Sequence, residues 1–397
     1  MSGPLTGVRI VELAGIGPAP FAAMALSDAG ADIIRVDRPI ETDGQTTLND
    51  PVTAGRARNI LNRGRRSVAA DLSRPDGADF ILKLVERADG FIEGFRPGVT
   101  ERLGIGPEVC AERNPRLVYG RVTGWGREGP YALAAGHDID YIALSGTLGT
   151  IGSADGPPVP PLNLLGDFGG GGLLLAYGMT CALLDVSRSG KGQVVDVAMV
   201  DGAAYLATYI HGLRALGLWS DERGTNILDG GAPFYQIYTT SDGRYLAIGA
   251  IEDRFFAELL DRIGLTDLRV PAPGDRREWS DIHESLARQF GSRTRDEWER
   301  LLAGTDACVA PVLSMGEAPQ HPHLRQRGTF VEVDGVVQPA PTPRFSRTPS
   351  SIQRPAPRPG QGGVRALQDW GLEDDEIQSL LDRGAISVDG VDGGPGM

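Results

Sequence analysis

The stretch Gly7–Pro39, GVRIVELAGIGPAPFAAMALSDAGADIIRVDRP, reads as strand, helix, strand. GVRIVELAG is rich in β-branched residues, and GIGPAP supplies glycines for a turn and prolines that a first helical turn tolerates. FAAMALSDAG continues in good helix formers before ADIIRVDRP returns to a strand. Two strands joined through one helix make a βαβ unit. The alternation goes on in DGADFILKLVERADGFIEGF and NPRLVYGRVTGWG, which predicts an α/β fold: a Rossmann-like large domain whose parallel sheet is covered by helices.

Farther along, GGGGLLLAYGMTCALLDVSRSGKGQVVDVAMVDGAAYLATYIHGLRALGLW reads as two helices, the second long, separated by a turn and a short strand at SGKGQVVDVA. The pattern changes at TTSDGRYLAIGAI, two strands around Asp242-Gly243, followed by the helix EDRFFAELLDRIGL and a charged helical stretch. The expected organisation is a large domain over residues 1–205 and 335–397 and a smaller α/β domain over 225–330. The proline-rich PTPRFSRTPSSIQRPAPRPG leads to a last helix, DDEIQSLLDRGAI, expected to pack back on the large domain. The segment from about Thr42 to Asn62 is polar and irregular and reads as a loop or a short helical insertion.

Composition narrows the function. With 39 Lys+Arg against 52 Asp+Glu the net charge of −13 repels nucleic acid and anionic membrane surfaces, so a polyanionic ligand requires a local basic patch. Arg38, Arg63, Arg65, Arg66, Arg96 and Arg102 bunch early in the chain. Each alone reads as a solvated surface residue; together they favour an anion site. Cys110, Cys181 and Cys308 are odd in number and widely spaced, which predicts buried thiols rather than a disulfide framework or a metal site. No run of about 18 apolar residues stands out, and MSGPLTGVRIVELAG lacks the basic region and cleavage site of a signal peptide, so a cytoplasmic protein without membrane attachment is expected.

Three stretches bear on chemistry. Asp37 follows Gly15 by 22 residues, near the spacing of a ribose-binding acid in a dinucleotide fingerprint, but Pro20 stands where the third glycine belongs. Arg38 beside Asp37 suits a phosphate equally well. In AGHDIDYIALSG, His137 lies beside Asp138 and near Asp140, so it is either a structural histidine or one held in a single tautomer for proton transfer. In PPLNLLGDFGGGGLLLAYG, Asp167 precedes four glycines and reads as an N-cap of the following helix, as a reactive carboxylate, or as both.

AGHDIDY, PPLNLLGDFGGGG, SGKGQVVDVAMVDG, NILDGGAPFY and GAIE, in that order and spacing, resemble the α-methylacyl-CoA racemases of the family III CoA-transferase superfamily. The similarity runs from VRIVELAGIGPAPFAAMALSDAGADIIRVDRP through TDACVAPVLSMGEA. The resemblance implies that His137 and Asp167 are the two catalytic acid/bases and that Glu252 supports the histidine. It places the CoA part of the substrate against Arg38, against Ala70, Asp71, Leu72 and Ser73, against Arg96, and against Gly136 to Tyr141, with Gly136, Asp138 and Tyr141 among them. It further implies an acyl-CoA substrate, no metal and no cofactor beyond that CoA, and an interlocked homodimer. Two departures stand out: Ser73 occupies a position often held by lysine, with Arg74 beside it, and the insertion between Pro39 and Asn62 is longer than in close racemase relatives.

The implied chemistry removes an α-proton from one face of a thioester and returns one to the other through an enolate. The glycines after Asp167 are expected to let the thioester approach the backbone, with the following helix N-terminus beside the enolate oxygen. The alternative is a CoA-transferase in which Asp167 attacks the acyl-CoA to form a mixed anhydride. His137 and Glu252 favour the racemase, because anhydride chemistry needs no base across the α-carbon. A CoA-binding module without turnover is the third possibility.

Overall fold

The computed structural model describes residues 2–39, 59–269 and 277–388. Most of the 40–62 insertion lies outside the described residues; its end forms a short helical turn, Ile60–Asn62. The chain divides into two units, one of residues 1–145, 162–206 and 326–397 and the other of 146–161 and 207–325.

In the first unit, β1 (Arg9–Leu13), α1 (Pro18–Asp28) and β2 (Asp32–Asp37) realise the opening βαβ motif. Prolines occupy the first turn of α1, where a missing N–H costs nothing, and Gly30 at φ 107° turns the chain into β2. β3 (Arg66–Ala70), α2 (Pro75–Val85), β4 (Gly90–Glu93) and β5 (Val118–Thr123) continue the winding. With β6 (Gln193–Ala198) and the terminal β12 (Ile386–Ser387), they form a sheet of order β12-β3-β2-β1-β4-β5-β6. Every pair is parallel except β12 on β3.

Residues alternate between faces as strand geometry requires. Ile10 and Ile33 enter one core with Ala22, Leu26 and Met179. Val11 and Ile34 enter the other with Phe80, Phe91 and Trp370. Ile377 and Leu380 of the helix Asp374–Asp382 belong to that second core, so the last helix does pack back on the sheet.

α3 (Asp138–Leu144) follows β5. The long helix α4 starts at Leu164, winds as a wide π-helix to Leu173 and continues as an α-helix to Ser189. α4 is long and apolar enough by composition to cross a membrane, contrary to the sequence expectation; Leu175, Ala176, Met179, Ala182 and Val186 pack it onto the sheet. The expected long helix after β6 is broken at Ala207 into α5 (Met199–Leu206) and a second helix, Thr208–Ala215.

The second unit holds an antiparallel sheet of β7 (Tyr235–Thr239), β8 (Tyr245–Gly249) and β9 (Val309–Pro311), with β8 central. The helices Asp253–Ile263, Trp279–Phe290 and Arg295–Leu302 cover it around Phe256, Phe290 and Trp298. A hairpin, β10 (Phe330–Val333) and β11 (Val336–Pro339), belongs to the first unit. The cysteines depart from expectation: Cys110 is buried, whereas Cys181 on the outer side of α4 and Cys308, in a loop at φ 51°, are exposed.

Candidate active site

The strand order reverses between β1 and β4, and in such sheets a ligand crevice opens beyond the carboxyl ends of the strands. Most residues assigned to CoA sit at those ends. Arg38 follows β2, Ala70 ends β3 ahead of Asp71, Leu72 and Ser73, and Arg96 follows β4. Arg38 and Arg96 are exposed, whereas Ala70 is buried. The Asp71 carboxylate folds over its own turn, accepting from the Ser73 N–H at 2.9 Å and Oγ at 2.6 Å. Gly136 and Tyr141 lie in and after the loop beyond β5.

The arginine cluster does not act as one patch. Arg63 pairs with Asp28 at 2.5 Å, Arg65 with Glu12 at 2.9 Å, and Arg66 with Asp32 and Asp369 at 2.5 Å, all three buried. Glu12 lies in the middle of a buried strand and also binds Arg35 at 2.6 Å, so these guanidiniums neutralise interior carboxylates and are unavailable to a ligand. Asp37 is likewise occupied, by Arg35 at 3.0 Å and Ser67 Oγ at 2.6 Å, which removes it as a ribose acceptor.

His137 is the N-cap of α3, in extended conformation with φ −131° and ψ 174°. Its N–H donates to Asp140 Oδ2 at 2.9 Å and its ring is exposed. The loop before it is clamped by Tyr141, whose hydroxyl donates to the Gly136 carbonyl and whose ring meets Trp125 edge-on at 4.8 Å. Gly124 makes this possible, because a Cβ there would stand 2.1 Å from the Tyr141 ring.

Asp167 lies in the first turn of α4 rather than ahead of it, so the cap is Asn163. The wide winding shows in the Phe168 N–H reaching the Asn163 carbonyl at 3.3 Å. The Asp167 N–H donates to Asp138 Oδ2 at 2.6 Å, and its carboxylate accepts from Asn163 Nδ2 at 3.1 Å. That carboxylate lies against Gly17, where a Cβ would stand 3.0 Å from Oδ2 and where φ is 74°. Phe21 stacks on Phe168 at 4.7 Å beside it. Burial pushes the Asp167 carboxyl above its ordinary range and the Asp138 charge adds to this, against the Asn163 bond and the pull of His137. α3 and α4 thus bring His137 and Asp167 into electrostatic reach of each other.

The glycine run does not open the site. A Cβ at Gly170 would stand 2.8 Å from Ala203 N, at Gly171 2.9 Å from Pro18 Cβ, and at Gly172 2.7 Å from the Pro18 carbonyl oxygen. These glycines let α4 cross α1 and α5 at backbone contact, inside a helix that has already begun, so they offer no free helix N-terminus for an enolate oxygen. Asn163 and Gly17 escaped the sequence reading. Asn163 stood four residues before Asp167, the spacing of neighbours on one helix face.

Glu252 belongs to the second unit, as the exposed N-cap of the helix Asp253–Ile263, and its side chain makes no capping bond there.

The chain belongs to CoA-transferase family III, whose family description matches residues 5–362. It is 44% identical over 380 residues to a Mus musculus protein named alpha-methylacyl-CoA racemase, covering 95% of this chain and 96% of that one. The Homo sapiens protein of the same name is 42% identical over 381 residues, with the same coverage. Among solved structures, a CAIB/BAIF family protein from Brucella suis superimposes with a TM-score of 0.77 at 28% identity, covering 93% of this chain and 100% of that one.

Proposed function

We propose that this chain is an isomerase that inverts the α-carbon of 2-methylacyl-CoA thioesters. One observation carries the reading: a histidine and a carboxylate raised above its ordinary range stand on adjacent helix starts, close enough for the histidine's charge to act on the carboxyl. The kinship with proteins named for this reaction supports it. His137 and Asp167 hold one proton between them. The unprotonated member takes the α-proton from one face, and the protonated member returns its own to the other face of the enolate. The partial burial of Asp167 suits this, since a carboxyl nearer in affinity to imidazole accepts and donates with similar ease. The reaction needs no group beyond the CoA of its substrate. Arg38 and Arg96 meet the CoA phosphates, and residues 70–73 and 136–141 line its path, Asp138 through its backbone because its side chain is buried.

The working form is a homodimer, with Glu252 of one protomer supporting His137 of the other. Two features support this. Leu173, Tyr177, Cys181 and Leu184 form one exposed stripe on α4, apolar apart from the Tyr177 hydroxyl, with Tyr205 and Leu206 exposed on α5. Val194 on the edge strand β6 is exposed as well. The stripe meets a second copy rather than lipid. Sedimentation of Tyr177→Asp/Leu184→Asp chains yields inactive monomers on this reading; an active monomer refutes it.

The deciding experiment incubates one pure epimer of a 2-methylacyl-CoA in D2O without an acceptor acid. Loss of chirality with deuterium at the α-carbon supports the racemase. Exclusion of deuterium, with hydroxylamine trapping an acyl group on Asp167, establishes the transferase instead.

A further inference from the structure

Asp138 has a setting that proton transfer between His137 and Asp167 does not by itself require. Its side chain is 5% exposed. Oδ2 accepts the Asp167 N–H at 2.6 Å, while Oδ1 is buried without a hydrogen-bond partner. Gly166 makes room for it, since a Cβ there would stand 2.7 Å from Oδ2. A buried carboxylate with an empty acceptor is costly, and burial of a second carboxylate beside it is costlier. An apolar residue at 138 would avoid both costs but would leave the Asp167 N–H without this acceptor.

We propose that Asp138 is a positioning residue, which fixes the Asp167 backbone through its Oδ2 and, by its charge, sets whether Asp167 or His137 carries the proton they hold between them. The inference rests on the racemase reading. α3 supplies both charges that act on Asp167, those of Asp138 and His137, and Asn163 supplies a neutral donor. Tyr141, also on α3, feels the Asp167 charge but has its hydroxyl committed to Gly136. α1 presents Gly17, Pro18 and Phe21 to the helix, and α5 presents Met199, Gly202 and Ala203, none of them ionisable. Asp201 of α5 acts on Asp196 of β6, and Arg121 of β5 is engaged by Glu93 and Glu101. Asp138 is therefore the one negative charge among the described residues that raises Asp167.

The test pairs a kinetic with a spectroscopic readout on the full-length protein. The pH profile of kcat/KM for racemisation is measured for wild type, Asp138→Asn and Asp138→Ser. Aspartate carboxyls labelled with carbon-13 are titrated by NMR, the Asp167 signal being identified by its loss in Asp167→Asn. Both substitutions at 138 lower kcat/KM about tenfold with KM within about twofold, and shift the acid limb and the Asp167 titration to lower pH. The serine variant carries the test should the asparagine variant not fold. A fall in rate with an unmoved acid limb and an unmoved Asp167 titration overturns the proposal, leaving Asp138 a scaffold residue. If wild type neither racemises nor exchanges the α-hydrogen, the racemase reading fails, and the NMR titration still decides whether Asp138 acts on Asp167.

Discussion

Gly202→Ala tests how the fold holds Asp167. A Cβ at Gly202 would stand 2.0 Å from the Gly170 carbonyl oxygen, 2.5 Å from its carbon and 2.6 Å from its Cα. All three are backbone atoms, so no rotamer change relieves the clash. The α4–α5 crossing has to open by roughly 1.5 Å to reach van der Waals contact. Overpacking of this kind costs about 1–3 kcal/mol, and the better helix propensity of alanine returns about 1 kcal/mol. At the upper end the net loss is about 2 kcal/mol, a fall in Tm on the order of 5 °C. The functional effect is larger. Gly170 lies three residues beyond Asp167 in the same wide turn, so the same displacement moves the carboxylate, and a misplacement of about 1 Å costs roughly 10²-fold in rate. Racemisation measured beside differential scanning calorimetry is expected to show kcat/KM falling far more than stability does, with Gly202→Val worse than Gly202→Ala. Wild-type activity and Tm in Gly202→Ala would refute the close crossing and the idea that it positions Asp167.

Glu12→Gln leaves Arg65 without its interior anion and Arg35 with Asp37 alone, and urea denaturation is expected to show a loss of about 3–5 kcal/mol. Arg38→Ala and Arg96→Ala raise KM for the acyl-CoA, more so at high salt, whereas Arg63→Met lowers stability and leaves KM within about twofold; steady-state kinetics separate the two behaviours. In the second unit the bond from Arg295 holds the Glu317 carboxyl at about 2, against an ordinary 4.5, so its contribution is complete above 4.5 and is lost as pH falls toward 2. Stability followed between those pH values is expected to decline less steeply in Arg295→Met than in wild type.

The sheet was legible because its signal is local. RIVEL, the proline-led helix and DIIRVD each carry their own propensity, and the alternation of helix and strand sets the rest. The arginines were misleading because their fate depends on what lies across the sheet. Nothing near Arg65 in sequence announces that its partner is Glu12, 53 residues earlier. The glycine run misled for a related reason, since glycine permits close approach without specifying to what. His137 and Asp167 stood out as types in unusual company, but their meeting depends on the packing of α3 against α4, and the part Asp138 plays between them appears only in three dimensions.

The antiparallel pairing of Ile386 with Ala70 has a consequence for the birth of the molecule. The sheet edge at β3, and the core around Trp370, Ile377 and Leu380, are completed by residues that leave the ribosome after the rest of the sheet and after the second unit. At about 5–20 residues per second, the nascent first unit waits on the order of tens of seconds for that cover, with residues 207–325 emerging meanwhile. The second unit can therefore finish folding before the one that begins ahead of it. During that interval β3 presents an unpaired edge to neighbouring nascent chains, so removing the last helix and strand should prolong aggregation-prone exposure as well as weaken the finished protein.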